Sequence, residues 1–340
     1  MKSINVRAAL AATSLVVSMA GGTAIAGPAE PTAAEPTNGN VVPGTQDNFD
    51  PVYNVCRGTD PRCYHPWVDD RQNKVLLYTR TAGPRHANLG TALAAGLNPP
   101  LNTGSSANTV QSAIIAWMAE QGVAVDWTED VTRLSNLNQY KAVIFASTSR
   151  DTLFKHGTAV APTSAVNTTT GAHLDSARTA LRQYMRAGGG FVAIHNAFGT
   201  EYNWPYYEGL LGNANYYDHG ANQDGTSVVV NADSSTAGLP ARWGFRDEWY
   251  NLVPFPTNVK FLLTVDENTL ATRRSTHPGH GNFHPTTWCQ YYDGGRSWVT
   301  TLGHDRAAFT DGSGFPGQAQ FKQLIVNGIL SAMGNKPFCQ

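Results

Sequence analysis

The chain has 340 residues, 41% hydrophobic and 14% charged, with a formal net charge of -1 at pH 7. That balance excludes a highly charged disordered chain. The absence of any basic block also argues against nucleic acid or an anionic membrane as partner.

Lys2 and Arg7 precede an apolar run, Ala8 to Met19, and Thr23-Ala24-Ile25-Ala26-Gly27 places small residues at the Ala-x-Ala positions. Residues 1–26 therefore read as a secretory signal cut after Ala26, too short to span a bilayer comfortably, and the mature protein is expected to be secreted. Residues 27–50, rich in Pro, Ala, Thr and Gly, read as a flexible lead-in. Residues 51–73 form an arm stapled by a cysteine pair, and residues 74–340 one α/β domain. Four cysteines in an exported chain point to two disulfides. Three pairings are open, of which Cys56–Cys63 with Cys289–Cys339 is favoured.

Lys74 to Arg80 is a buried strand running into a turn-rich loop with Arg85 and His86. Residues 90–107 read as a surface loop. Asn108 caps a helix through Gln121, with Val110, Ile114, Trp117 and Met118 on one face. Val123 to Trp127 and Lys141 to Ser147 are the next strands, and 149–170 is a polar insertion. Asp175 to Ala187 is helical. Gly188-Gly189-Gly190 stops it, and Phe191-Val192-Ala193-Ile194 is a strand covered on both faces. Its carboxyl end carries His195, the end where ligands gather in open parallel sheets. Beyond it come a short helix (Trp204 to Leu211) and strands at Ser227 to Val230 and Val259 to Val265. A hairpin, Trp288 to Tyr292 with Arg296 to Leu302, and a last helix, Phe321 to Met333, complete the chain. Alternating strands and helices predict a mainly parallel central sheet with helices on both faces.

Four histidines stand at loop or strand-end positions: His86, His195, His219 and His304. Neutral imidazoles suit a divalent metal such as zinc, although each ring could equally cap a turn. Asp247-Glu248-Trp249-Tyr250 sets carboxylates beside aromatics, as a sugar site or an acidic turn on a packed pair would. Burial of Glu248 there would suit it to proton transfer. His277, His280 and His284 lie in a Gly/Pro-rich loop where spacing does not fix geometry. The first two are expected to be mostly exposed and the third to position a strand. Arg296 follows the Gly294-Gly295 turn and could clamp a ligand oxygen. No G-x-S-x-G elbow stands at a strand–turn–helix junction and no G-x-G-x-x-G fingerprint follows the first strand, which argues against a serine hydrolase and a nucleotide cofactor.

The ordered series of motifs resembles the ThuA-like, or trehalose-utilisation, family. It runs from Lys74 to Arg80 with Arg85-His86, through Gly188 to His195, to Trp204 to Gly212 with His219. It continues through Gly238-Leu239-Pro240, Asp247 to Tyr250, His284-Pro285 with Trp288, and Gly294 to Arg296 with Leu302 to His304. The resemblance implies a flavodoxin-like three-layer fold related to class I glutamine amidotransferases. His195 stands where active amidotransferases carry a cysteine, so no glutaminase activity is expected. By position it carries over His86, His195, His219, Glu248 and His304 as recurring polar residues. The functional expectation is a carbohydrate-active enzyme hydrolysing or eliminating a glycoside or oligosaccharide. His195, Glu248 and His304 would act on the substrate, and Arg85, Asp247, Trp249, Tyr250 and Arg296 would bind it. His86, His195, His219 and His304 would hold any metal. The alternative is a non-catalytic carbohydrate-binding or cell-surface protein that keeps the pocket.

Overall fold

One sheet organises the described residues, parallel in one half and antiparallel in the other. The computed structural model describes residues 48–68, 70–153, 175–272 and 276–340. The signal and nearly all of the lead-in expected from the sequence, and most of the 149–170 insertion, lie outside the described residues. In chain order the strands are β1 (Phe49–Asp50), β2 (Val55–Gly58), β3 (Gln72–Tyr78), β4 (Ala124–Thr128), β5 (Tyr140–Ala146), β6 (Gly190–Ile194) and β7 (Tyr216–His219). They continue as β8 (Gln223–Val229), β9 (Arg242–Asp247), β10 (Tyr250–Leu252), β11 (Lys260–Asp266), β12 (His284–Tyr292) and β13 (Gly295–Thr300). The helices are α1 (Thr109–Ala119), α2 (Asp175–Arg186), α3 (Pro205–Leu210) and α4 (Gln318–Ala332).

The main sheet runs β4-β3-β5-β6-β13-β12-β11-β8-β9. The pairs from β4 to β13 are parallel, and those from β13 outward are antiparallel. β2 pairs with the Tyr291–Tyr292 end of β12, and β7 and β10 form a separate two-stranded ribbon. The expected α/β architecture with a mainly parallel central sheet is the one observed.

Continuous apolar runs are required because both faces are covered. Along β3, Val75 and Leu77 face the core built with α1 and α4, while Leu76 and Tyr78 face the one built with α2 and α3. Each such fully buried side chain contributes about 1.5–3 kcal/mol. Gly190 answers to space: a Cβ there would stand 2.4 Å from the Ala332 carbonyl oxygen and 2.8 Å from that of Lys141. Gly188, at φ +88°, ends the helical turn in the left-handed region that glycine enters freely.

Two local expectations change. Asn108 precedes α1, but its side chain makes no cap bond. It donates instead to the carbonyls of Leu89 (2.6 Å) and Thr91 (2.7 Å) and accepts from the Asn102 amide, tying down the 90–107 loop. The loop from His277 is less exposed than expected. His277 and His280 are half-buried and His284 is buried, with Nδ1 2.7 Å from Glu267 and Nε2 2.8 Å from the Tyr250 carbonyl. Cys56 bonds Cys63, and Cys289 bonds Cys339, fastening the C-terminus to β12. No helix among the described residues is long and apolar enough to cross a membrane.

Candidate functional site

The carboxyl ends of β3, β5, β6 and β13 lie along one edge of the sheet, because these four strands are parallel and in register. Loops leaving that edge carry His86 after β3, Ser149 and Arg150 after β5, His195 and Asn196 after β6, and His304 after β13. From the antiparallel half, the turn between β9 and β10 brings Asp247 to Tyr250 to the same place. His195 is wholly buried and sits at φ +54°, in the left-handed region. Ser147 (+49°), Arg150 (+59°) and Glu201 (+53°) share that conformation around the same edge. Such strain in non-glycine residues gathers at sites that the surrounding structure over-determines.

Three imidazoles meet here. The ring centroids of His86 and His195 are 4.7 Å apart, and each lies 5.4 Å from that of His304. One ring nitrogen from each of His86, His195 and His304 lies within 4.8 Å of the others. His195 Nδ1 is 2.9 Å from the Thr301 carbonyl, so it donates there. That tautomer leaves a lone pair on Nε2, which accepts from the Tyr250 hydroxyl at 2.9 Å. Glu248 links the histidines: Oε2 lies 3.1 Å from His304 Nδ1 and 3.9 Å from His195 Nε2, and Oε1 3.6 Å from His219 Nε2. His219 thus joins through the carboxylate rather than through the ring triad, and its Nδ1 donates to the Gly220 carbonyl at 2.6 Å.

The electrostatics divide the cluster. Burial pushes His195 well below the ordinary histidine range, helped by the neighbouring His86 and His304. Burial, then His304, holds His86 down at about 4. Both rings are neutral near pH 7 and keep lone pairs. Burial opposes charge on His304 too, but Glu248 and then Asp247 outweigh it and raise its pKa. Burial likewise opposes charge on Glu248, and here His304, then His219 and His86, lower the pKa on balance. The shifts of the two groups run in the directions that favour an imidazolium facing a carboxylate. Burial drives Asp247 up to about 7, against the backbone N–H groups that it accepts from.

The donor set suits a divalent ion in kind, with two neutral imidazoles, one of them oriented by a backbone carbonyl, a third ring that would give up its proton on binding, and an adjacent carboxylate. Zn–N bonds of roughly 2.0–2.1 Å place tetrahedral ligands about 3.4 Å apart, so the rings would close inward on binding.

Several residues expected to bind substrate lie elsewhere. Arg296 stands at the amino end of β13, about 16 Å along the strand from Thr301 at roughly 3.3 Å per residue, and stacks on Tyr64 at 4.0 Å. Arg85 pairs with Glu129 (2.8 Å) and donates to the carbonyls of Leu89, Gly90 and Thr91, so it fastens the loop after His86. Trp249 is buried beside Phe245, with Nε1 donating to the Gln223 carbonyl at 3.1 Å. Asp247 is fully buried and accepts from the amides of Gly303 (2.7 Å), Glu248 (2.8 Å) and His304 (3.3 Å). Side chains alternate along an extended segment, so Glu248 and Tyr250 face the cleft while Asp247 and Trp249 turn inward.

The cleft, ≈ 180 Å³, is lined by His86, His219, Glu248 and Tyr250 together with Ser149, Arg150, Asn196 and Tyr216. The last four were not singled out from the sequence. The strand-end rule that found His195 would also have found Ser149 and Arg150, just beyond β5, had 149–170 not been read as an insertion.

The model of the ThuA family, described as trehalose utilisation, matches residues 74–332. A ThuA-like protein of Bacteroides uniformis superposes with a TM-score of 0.52 at 19% identity, over 77% of this chain and 93% of its own. One from Parabacteroides merdae gives 0.50 at 16%, over 77% and 90%. At these identities the likeness is one of fold. Among curated proteins, none matches the chain significantly.

Proposed function

Because the chain belongs to the trehalose-utilisation (ThuA) family, we propose that it is a secreted carbohydrate-active enzyme. It cleaves a glycoside or oligosaccharide by hydrolysis or elimination. The observation that carries this reading is the Glu248–His304 ion pair beside neutral His195, with Glu248 itself lining the cleft. Glu248, ionised near neutrality, accepts a proton from water or from an acidic C–H. His304, held as imidazolium, supplies one to the departing oxygen. Tyr250 stays protonated, since burial holds its pKa far above the usual range, and offers its hydroxyl to His195 or to substrate. In the alternative to His304 as acid, His86, His195 and a neutral His304, with Glu248 at their side, would hold a divalent ion such as zinc. When bound, that ion would polarise a substrate oxygen or water. Secretion is supported by the N-terminal signal pattern and by the two disulfides.

A glycan-degradation screen on purified protein, with metal analysis by mass spectrometry, tests the proposal. Glu248→Gln and His304→Ala are expected to lower turnover by about 10²-fold or more, the usual share of general acid–base groups. Full activity in both variants would remove the mechanism. Saturable glycan binding without product would leave a carbohydrate-binding protein.

A further inference from the structure

The acid–base pair leaves one charged residue of the cleft unused. Arg150 follows β5 and lines the same cleft as His86, His219, Glu248 and Tyr250. Its backbone is held on both sides: its amide donates to the Gly199 carbonyl at 2.9 Å, and its carbonyl accepts from Glu201 at 3.1 Å and Thr152 at 2.8 Å. Its stem packs on Gly83, where a Cβ would come within 2.3 Å of Arg150 Cγ. Its guanidinium lies over the Tyr202 ring, 5.3 Å from the centroid. Among the described residues no carboxylate stands within ion-pair distance of it; the nearby Glu201 is bound by Arg178. A guanidinium held over a ring, with no ion-paired carboxylate among the described residues, is a fork for a planar anion. A single such cation matches one carboxylate better than a phosphate dianion, the more so with anionic Glu248 lining the same cleft.

We propose that Arg150 is a specificity residue selecting a sugar that bears a carboxylate, so that the substrate is a uronic-acid glycoside. The inference rests on the carbohydrate reading above and names its substrate class.

Binding of D-glucuronate, D-glucose and D-glucose 6-phosphate to the full chain is measured by calorimetry or saturation-transfer NMR. The wild type is expected to bind glucuronate at least tenfold more tightly than glucose. Arg150→Gln should abolish that preference, and Arg150→Lys should restore part of it. Should Arg150→Gln fail to fold, the partial loss in Arg150→Lys carries the test. Equal binding of the acidic and neutral sugars, no glucuronate binding, tighter binding of the phosphate, or an unchanged Arg150→Gln profile would each overturn the proposal. The two readings fail separately. Glu248-dependent cleavage of neutral and acidic glycosides alike sinks the specificity role and spares the enzyme. An Arg150-dependent preference with no product from any glycan does the reverse.

Discussion

Asp247 shows how a residue that touches no ligand can shape the cluster. Its carboxylate accepts from three backbone amides, two of them on the Gly303–His304 segment, and so sets where the His304 ring begins. Asp247→Ala would leave those buried donors without an acceptor, at about 1–3 kcal/mol for each group. A loss of roughly 3 kcal/mol in urea unfolding is expected, with partial recovery in Asp247→Asn, which keeps one acceptor oxygen. Glu201 is a second buried carboxylate, pushed up to about 7 by burial despite Arg178 and the Leu153 amide. Its folded pKa thus lies above the unfolded value, near 4.5. The stabilisation linked to its proton is complete below pH 4.5 and lost as pH rises through 7. Glu201→Gln lacks this titration, so its stability relative to wild type should improve between pH 4.5 and 7.5. Parallel denaturation curves across that range would contradict the assignment. Histidines and Glu248 were legible as candidates because polar residues at strand ends are uncommon enough to notice. Arg296 and Trp249 were misread because a motif names neither the end of the strand nor the side of the backbone on which a residue sits.

At the scale of elements, the apolar runs of β3, β5 and β6 were readable because strands covered on both faces leave no room for polar residues. β9 was not: Trp243, Phe245 and Asp247 point inward, and a carboxylate in the third inward position together with Gly244 hides the alternation. The β7–β10 ribbon, mostly polar and short, gives no periodic signal at all. The glycine-rich entry to β6 has a measurable consequence. Gly190→Ala forces a methyl against the Ala332 and Lys141 carbonyls, and overpacking of this kind costs typically 1–3 kcal/mol. A lowered melting temperature is expected, and an unchanged one would mean that α4 can move away from β6.

For the whole molecule, the sheet explains why candidates more than 200 residues apart in sequence, such as His86 and His304, come together. In-register parallel strands bring their carboxyl ends to one edge, whatever the loop lengths between them. The sequence order of the strands predicted that edge, but it did not show that the antiparallel half would fold back to deliver Glu248. The two disulfides differ in reach, with sequence separations of 7 for Cys56–Cys63 and 50 for Cys289–Cys339. In the chain-entropy view the longer loop is worth about 2 kcal/mol more. Cys339→Ser should therefore lower thermal stability more than opening the short loop does, as calorimetry of the two variants would show.

The sheet changes from parallel to antiparallel pairing between β13 and β12. His86, His195 and His304 stand on loops of the parallel half and Glu248 on the antiparallel half, so the spacing of acid and base depends on the Asp247 bonds to Gly303 and His304 that tie the two halves together. A slip of a single ångström at that tie would separate proton donor from acceptor while each half kept its own interior. In this protein, catalysis would then register a lateral fault that melting experiments pass over.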